Sequence, residues 1–126
     1  MRNHSDLNGD AFTIERHGEL TIIAGTPAIE SIDFGMDDSA SKLLMNQVHN
    51  QDNPQIVFDL SQVKYVGSNF LGLLLRCWKA TMAKGGSLVL AGPTEHAKEL
   101  LHVTSLDFVL PIYSSRREAI DALLSD

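Results

Sequence analysis

The chain has 126 residues, of which 44% are hydrophobic and 21% charged, so its size fits one domain and its composition is that of a soluble globular fold. Its formal net charge of -6 argues against partners such as nucleic acid or an anionic membrane, which attract a positive surface. The single cysteine excludes an internal disulfide and fits a reducing compartment. Because no apolar run reaches the length of a signal peptide or a bilayer span, we expect a cytoplasmic protein without a membrane segment.

The N-terminal part of the chain predicts a short polar segment followed by a hairpin. The first ten residues are polar and predict disorder, so the expected domain covers residues 11–126. Apolar side chains alternate with polar ones over residues 12–16 and again over residues 20–24, with Gly18 between the two runs. Two alternating runs joined at a glycine predict a β-hairpin. Glycine and proline interrupt residues 25–37, which predicts irregular structure.

The middle of the chain predicts a helix and then a buried strand. The helix is expected to begin at Asp38 or Ser39, either of which can cap it, and to end near His49. Residues 56–60 are almost continuously apolar, which is typical of a central strand covered on both faces. The apolar side chains within residues 63–66 are expected to continue this strand beyond a kink.

The remaining pattern alternates helices and strands. A second helix is predicted over residues 69–84, because the glycine pair that follows is a good stop signal. Residues 87–91 predict another strand, and the Gly-Pro-Thr sequence after it predicts the start of a third helix. A last short strand is expected at residues 109–113, at an edge of the sheet because Pro111 cannot donate a ladder hydrogen bond.

The final helix is predicted to start at Ser115, where Glu118 three residues later completes a capping box. Its inner face is expected to contain Ala119, Ile120, Leu123 and Leu124. The whole order of elements predicts a single α/β domain, with a mixed, mostly parallel sheet, an N-terminal hairpin and about four helices.

Ser68 stands where the central strand gives way to the second helix. A serine at this point can act as an N-cap by accepting a hydrogen bond from an early helical N–H group. The helix N-terminus also favours negative charge, so a phosphate on Ser68 would lie in a favourable field. Two interpretations follow: a plain cap, or a phosphorylation site on a protein-binding surface.

Five separated motifs accompany this serine in the second half of the chain. Asp-Leu-Ser occupies residues 59–61, and Gly-Ser-Asn-Phe-Leu-Gly occupies residues 67–72. Lys-Gly-Gly-Ser-Leu-Val-Leu-Ala-Gly-Pro follows at residues 84–93, Thr-Ser-Leu-Asp at residues 104–107 and Pro-Ile-Tyr at residues 111–113. In type and order these motifs resemble the STAS domain, the domain of sulphate transporters and anti-sigma factor antagonists. The N-terminal part resembles the family more loosely.

The resemblance implies a protein-binding domain of the anti-sigma factor antagonist type and not an enzyme. In such antagonists the serine after the motif aspartate is phosphorylated by an anti-sigma factor with serine kinase activity, and that position is Ser68 here. The unmodified antagonist binds the anti-sigma factor and frees a sigma factor, whereas the phosphorylated form lets go. The implied partner is therefore an anti-sigma factor/serine kinase, without direct contact to nucleic acid, and self-association stays open.

The chain also departs from the family pattern near this serine. Gly67 replaces the motif aspartate, Asn69 the second Ser/Thr, Phe70 a glycine and Ser105 another glycine downstream. The missing carboxylate would otherwise help to orient the hydroxyl during phosphoryl transfer. Two functions therefore stay open: an antagonist switched at Ser68, and a non-switching STAS interaction or scaffold domain in a signalling or transport complex.

Helical periodicity divides the second helix into two apolar stripes. The stripe expected to face the sheet contains Leu71, Leu74, Leu75, Trp78 and Met82. A flanking strip contains Phe70, Leu73, Cys77 and Ala80. Such a strip either marks a partner site or is covered by a neighbouring helix. If it is a partner site, the expected partner-binding residues are Gly67, Ser68, Asn69, Phe70, Leu73 and Cys77.

The sequence offers little support for catalysis, and we predict no catalytic residue, metal or cofactor. The five histidines have no metal-ligand spacing, and the glycines match no phosphate-binding loop. A hydrolase using Ser68 as nucleophile would need a Gly-x-Ser-x-Gly elbow, which the sequence around it does not form.

Overall fold

A computed structural model of the protein describes residues 11–31 and 39–125. One sheet contains five strands in the spatial order of the chain. The first pair is antiparallel and the other three pairs are parallel. The strands are β1 (Phe12–His17), β2 (Leu20–Gly25), β3 (Gln55–Asp59), β4 (Ser87–Ala91) and β5 (Ile112–Tyr113). The predicted mixed, mostly parallel sheet with an N-terminal hairpin is confirmed.

Four α-helices connect or follow these strands within the described residues, as expected. They are α1 (Ser39–His49), α2 (Ser68–Ala83), α3 (Glu95–Val103) and α4 (Arg116–Leu124). Two short 3-10 helices, η1 (Pro27–Ser31) and η2 (Leu106–Phe108), precede α1 and β5. None of the helices in the described ranges is long and apolar enough to cross a bilayer. The predicted disorder of the first ten residues and the capping role of Asp38 lie outside those ranges.

The hairpin closes through a two-residue turn. His17 pairs with Leu20 at the end of the ladder, which leaves Gly18 and Glu19 to reverse the chain. Gly18 has φ +63°, a left-handed conformation that glycine adopts without a steric penalty. The glycine between the two alternating runs therefore fixes the register of the first strand pair.

Both faces of the sheet are covered, which explains the continuous apolar runs in β3 and β4. Ile56 and Phe58 lie in the larger core cluster with side chains of α1, α2 and α3. Val57, on the opposite face, belongs to a smaller cluster with Ala119 of α4. The ring of Phe58 meets that of Phe12 edge to face at 5.8 Å, a favourable aromatic geometry.

Two predicted strand segments differ from the structure. Residues 63–66 do not continue β3 but form an irregular loop, because Val63 and Val66 turn inward without pairing with a neighbouring strand. The last strand shrinks to two residues, because Val109 and Leu110 belong to the turn that follows η2, where their N–H groups donate to the Leu106 carbonyl, and Pro111 cannot donate to the ladder. Its predicted place at the edge of the sheet is confirmed.

The start of α4 confirms half of the predicted capping box. Ser115 Oγ accepts a hydrogen bond from the Glu118 backbone N–H at 3.1 Å, as an N-cap does. The Glu118 carboxylate accepts from Ser114 instead of from the backbone of Ser115. Leu124, predicted to face inward, is exposed in the last turn of the helix.

Candidate functional site

The carboxyl end of β3 is held by a buried carboxylate. Asp59 Oδ1 accepts a hydrogen bond from the Ser61 backbone N–H at 2.8 Å, and Asp59 Oδ2 accepts one from Arg116 Nε at 2.9 Å. Burial by itself would raise the pKa of Asp59, but the hydrogen bonds from Ser61 and the Arg116 guanidinium outweigh it and lower that pKa. Asp59 therefore stabilises the turn that leaves the strand.

The loop after this turn is fixed from two sides. The Thr94 side chain caps α3, and its single hydroxyl hydrogen is shared between the carbonyls of Val63 and Lys64, which lie 3.4 and 3.3 Å from Oγ1. On the other side, the backbone N–H of Tyr65 donates to Glu30 Oε2 at 3.4 Å. The loop that leads to α2 is thus attached both to η1 and to the start of α3.

Close packing explains the glycine at the end of β2. A Cβ atom added to Gly25 would lie 2.7 Å from Cγ2 of Val63 and 3.2 Å from Cδ1 of Ile29. Distances this short leave no room for a side chain at that position. Gly25 therefore lets the buried part of the loop pack directly against β2.

Ser68 is the first residue of α2 and is exposed. The N-cap is Gly67, whose backbone is extended (φ -107°, ψ 173°) and whose carbonyl accepts from the Leu71 N–H at 3.1 Å. The prediction that Ser68 itself is the N-cap is therefore wrong by one residue. Because its side chain is not used for capping, the hydroxyl stays at the surface in the first turn of the helix.

A groove of about 430 Å³ lies in front of this hydroxyl. It is lined by Ile29, Glu30, Tyr65, Val66, Gly67, Ser68, Asn69 and Phe70. We call it the Ser68 groove. Glu30 is the only carboxylate among these residues, and none of them is Lys or Arg. The groove therefore combines a hydroxyl, an amide and an acid with an apolar wall.

The structure separates the six predicted partner-binding residues into two groups. Gly67, Ser68 and Asn69 are exposed and line the Ser68 groove. Phe70, Leu73 and Cys77 are at most 3% exposed and belong to the core. The interpretation of these three as an exposed strip is wrong, and the alternative of a covering helix is correct.

Specific contacts account for the burial of that strip. The Phe70 ring packs edge to face on Phe58 of β3, with 5.7 Å between ring centroids. Cys77 Sγ lies 3.7 Å from Met45 Sδ of α1, and burial raises the pKa of the Cys77 thiol to about 12. Phe70, large where the family resemblance implies a glycine, therefore extends the core and also lines the Ser68 groove.

The buried face of α2 is rotated from the predicted one. Leu71 and Leu74 are buried as expected, but Leu75 and Trp78 are only half-buried and Met82 is exposed. The buried position in the last turn is Thr81, whose Oγ1 donates to the Cys77 carbonyl at 2.7 Å. This bond satisfies the hydroxyl inside the core, so a polar side chain can occupy this buried position.

Sequence reasoning did not identify Glu30 or Tyr65 as site residues. Glu30 lies in a segment predicted to be irregular, so nothing local connects it with a helix almost forty residues later. The sequence signal for Tyr65 is weak: an aromatic side chain just before the inward-facing Val66, in a loop that the pattern extended as a strand. No three His, Cys, Asp or Glu side chains in the described part of the chain lie close enough together to hold a metal ion.

Comparison with known families gives a match over most of the chain. The model of the STAS domain family matches residues 13–119. A protein of Thermotoga neapolitana, provisionally named an anti-sigma factor antagonist, is 29% identical over 80 residues, which cover 64% of this chain and 71% of the relative.

Solved structures share the fold. An anti-sigma factor antagonist (STAS) domain protein from Planctomyces limnophilus superposes with a TM-score of 0.78 at 24% identity, covering 88% of this chain and 96% of the other. The anti-sigma factor antagonist SpoIIAA, in its unphosphorylated form, gives a TM-score of 0.72 at 17% identity, with 92% and 98% covered. SpoIIAA from Bacillus has also been solved in a phosphorylated form, which gives a TM-score of 0.66 at 18% identity, with 90% and 99% covered.

Proposed function

The chain belongs to the STAS domain family, and from this premise we propose that it is an anti-sigma factor antagonist switched by phosphorylation of Ser68. Its partner is an anti-sigma factor with serine kinase activity, and it acts in the cytoplasm by binding this protein and not by catalysing a reaction. The observation that supports the proposal most directly is the exposed hydroxyl of Ser68 in the first turn of α2.

The electrostatics of the Ser68 groove explain how a phosphate would act. Phosphorylation adds about 1.5 to 2 negative charges at one point. The N-terminus of α2 tolerates that charge, but none of the described residues that line the groove is a Lys or Arg that could pair with it, and Glu30 adds a further negative charge. The phosphate would therefore stay hydrated at the surface, where its bulk and its desolvation cost displace the apolar surface of the partner from the groove.

The contact surface in this proposal is the exposed part of the predicted set: Gly67, Ser68 and Asn69. These consecutive residues, the N-cap and the first two residues of α2, line the groove together. A partner that contacts them in the unmodified state meets a small, neutral surface. The same turn becomes strongly anionic after phosphorylation, so a single modification is sufficient to change its affinity.

A non-switching interaction domain is the second candidate, and one observation favours it. Gly67 provides no carboxylate beside the Ser68 hydroxyl, although positioning is central to phosphoryl transfer. A Cβ atom at Gly67 would meet no other atom within 4 Å, and its φ of -107° suits any residue. Gly67→Asp is therefore a structurally tolerated variant that tests whether the missing carboxylate limits the reaction.

The first experiment measures phosphorylation. Each anti-sigma factor kinase of the source genome is purified and incubated with the protein and ATP, and intact mass is recorded. We expect one added phosphate on the wild type and on the control Ser125→Ala, none on Ser68→Ala, and faster modification of Gly67→Asp. A wild type that gains no phosphate from any of these kinases would contradict the switch.

The second experiment measures binding of the same kinases by surface plasmon resonance. The switched antagonist predicts that Ser68→Asp weakens binding by about tenfold or more, while Ser68→Ala binds normally. The non-switching domain predicts equal affinities for both variants. Wild-type protein that binds none of the kinases would contradict the antagonist function itself.

A further inference from the structure

We infer that Tyr65 is the anchor by which the Ser68 groove holds its protein partner, and that His96 orients the Tyr65 ring. This inference rests on the proposed function and extends it to two residues that neither the sequence motifs nor the phosphorylation site include. Tyr65 lines the groove three residues before Ser68, and 59% of its surface is exposed. It therefore presents an aromatic ring to the same partner that meets Ser68.

The backbone beneath this ring is fixed before any partner arrives. The N–H of Tyr65 donates to Glu30 Oε2 at 3.4 Å, and the carbonyl of Lys64 accepts from Thr94 Oγ1 at 3.3 Å. The next residue, Val66, is buried in the core. An exposed side chain on a backbone that is already ordered loses less conformational entropy when it binds.

His96 restricts the ring itself. The two ring centroids lie 5.1 Å apart, with an interplanar angle of 71°, which is an edge-to-face contact. His96 lies in the first turn of α3 and is itself exposed, so its contact with Tyr65 occurs at the surface and not in the core. His96 therefore acts as a positioning residue for Tyr65 and not as an anchor in its own right.

The aromatic ring and the negative charge of the groove indicate what kind of partner surface can bind there. Tyrosine is enriched among the few residues that dominate protein–protein affinity, usually as a ring inserted into an apolar pocket. Glu30 is the only carboxylate among the described residues of the groove wall, and the chain has a net charge of -6. The complementary surface is thus an apolar pocket of the anti-sigma factor with Lys or Arg at its rim.

The test measures the affinity of the purified anti-sigma factor kinases for single variants whose unfolding midpoints match the wild type. We expect Tyr65→Ala to weaken binding by about tenfold or more and Tyr65→Phe to stay within about threefold of the wild type. The matched control is Phe108→Ala, which removes an aromatic ring that is 88% exposed beyond the far end of α3.

Three further variants test the role of His96 and the charge of Glu30 in the groove wall. His96→Ala should weaken binding by about threefold, and His96→Phe should restore it, because a phenyl ring can make the same edge-to-face contact. Wild-type affinity should fall as salt is added, and Glu30→Gln should reduce that salt dependence.

The outcomes separate this inference from the proposed function. If the wild type binds a kinase and Tyr65→Ala binds equally well, the anchor is wrong while the antagonist function stands. If Phe108→Ala weakens binding as much as Tyr65→Ala does, the partner contacts a different face and the anchor is also wrong. If the wild type binds no kinase, both proposals fail together.

Discussion

Asp59 and Arg116 are joined by a 2.9 Å hydrogen bond between Oδ2 and Nε, although 57 positions separate them in the chain. The bond connects the end of the central strand to the first residue of the last helix. The Arg116 guanidinium also lies 3.5 Å from a carboxylate oxygen of Glu15 in β1. One cation therefore connects α4 with two strands of the sheet, β1 and β3.

Arg116→Ala should lower the free energy of unfolding by about 1–2 kcal/mol near neutral pH. The variant leaves the Asp59 carboxylate buried without its cation, but 36% of the Arg116 side chain is exposed, so solvent reduces the loss. Urea unfolding measures the difference. The neighbouring Arg117→Ala is the matched control and should change stability by less than about 0.5 kcal/mol.

The contribution of this ion pair should depend on pH with a definite sign. The folded state lowers the pKa of Asp59 below its ordinary value of 3.8. The stabilisation is therefore present above that value and is lost as the pH falls through the folded-state pKa. The difference between wild type and Arg116→Ala should be constant near neutrality and shrink below about pH 4. A difference that grows on acidification would contradict the pairing.

Gly72→Ala should stabilise the protein by about 0.5–1 kcal/mol. Gly72 lies inside α2, where glycine costs about that much relative to alanine, and an added Cβ would meet nothing within 4 Å. Gly25→Ala is the opposite case, because its Cβ would lie 2.7 Å from Val63. Thermal unfolding of the two variants should give shifts of opposite sign, and a loss of stability in Gly72→Ala would contradict the helix packing described above.

Ser105→Gly should also stabilise the fold, by about 0.5–1 kcal/mol. Ser105 precedes η2 with φ +63°, a left-handed conformation that is strained for a residue with a Cβ atom. Glycine removes this strain, although part of the gain is offset by greater freedom of the unfolded chain. Chemical denaturation measures the shift. An unchanged or lower stability would mean that the Ser105 side chain compensates for its own strain.

The thiol of Cys77 should be inert in the native protein. It is buried against Met45, and burial raises its pKa to about 12, so at pH 8 only about one thiol in ten thousand is ionised. A thiol reagent such as dithionitrobenzoate should show no reaction with the folded chain and one equivalent after denaturation in guanidinium. Rapid reaction of the folded protein would contradict the packing of α1 on α2.

Elements with a regular hydrophobic period could be predicted from the sequence. The hairpin follows from two alternating runs around Gly18, and the central position of β3 follows from its continuous apolarity. The loop around Val63 could not be predicted, because a buried valine in an irregular loop and a buried valine in a strand look the same in the sequence. The close packing of Val63 on Gly25 is seen only in the folded structure.

The orientation of α2 shows a second limit of prediction from sequence. The helix is apolar over more than half of its circumference, so its periodicity predicts an amphipathic helix without deciding which of two adjacent stripes faces inward. The stripe with Phe70 and Cys77 faces inward because Phe58 and Met45 contact it. Both partners belong to other elements, so the choice depends on tertiary packing.

The part of the candidate site that one short segment of the chain forms was predictable from the sequence. The residues that distant segments contribute were not. Ser68 and its neighbours stand at a strand-to-helix junction that the pattern identifies directly. Glu30 and His96 reach the same region from η1 and α3, and their proximity depends on the parallel arrangement of the sheet. Local sequence contains no information about such tertiary contacts, which is why neither residue was predicted as part of the site.

The first turn of α2 brings together two residues with opposite tolerance of change. Ser68 faces solvent, whereas Phe70, two positions later, is part of the packing against β3. Variation at residues 67–69 should therefore leave folding largely intact, while variation at Phe70 should not. A library randomised at those three positions would yield mostly folded proteins, so this turn is a place where new binding specificities could be selected without redesigning the interior.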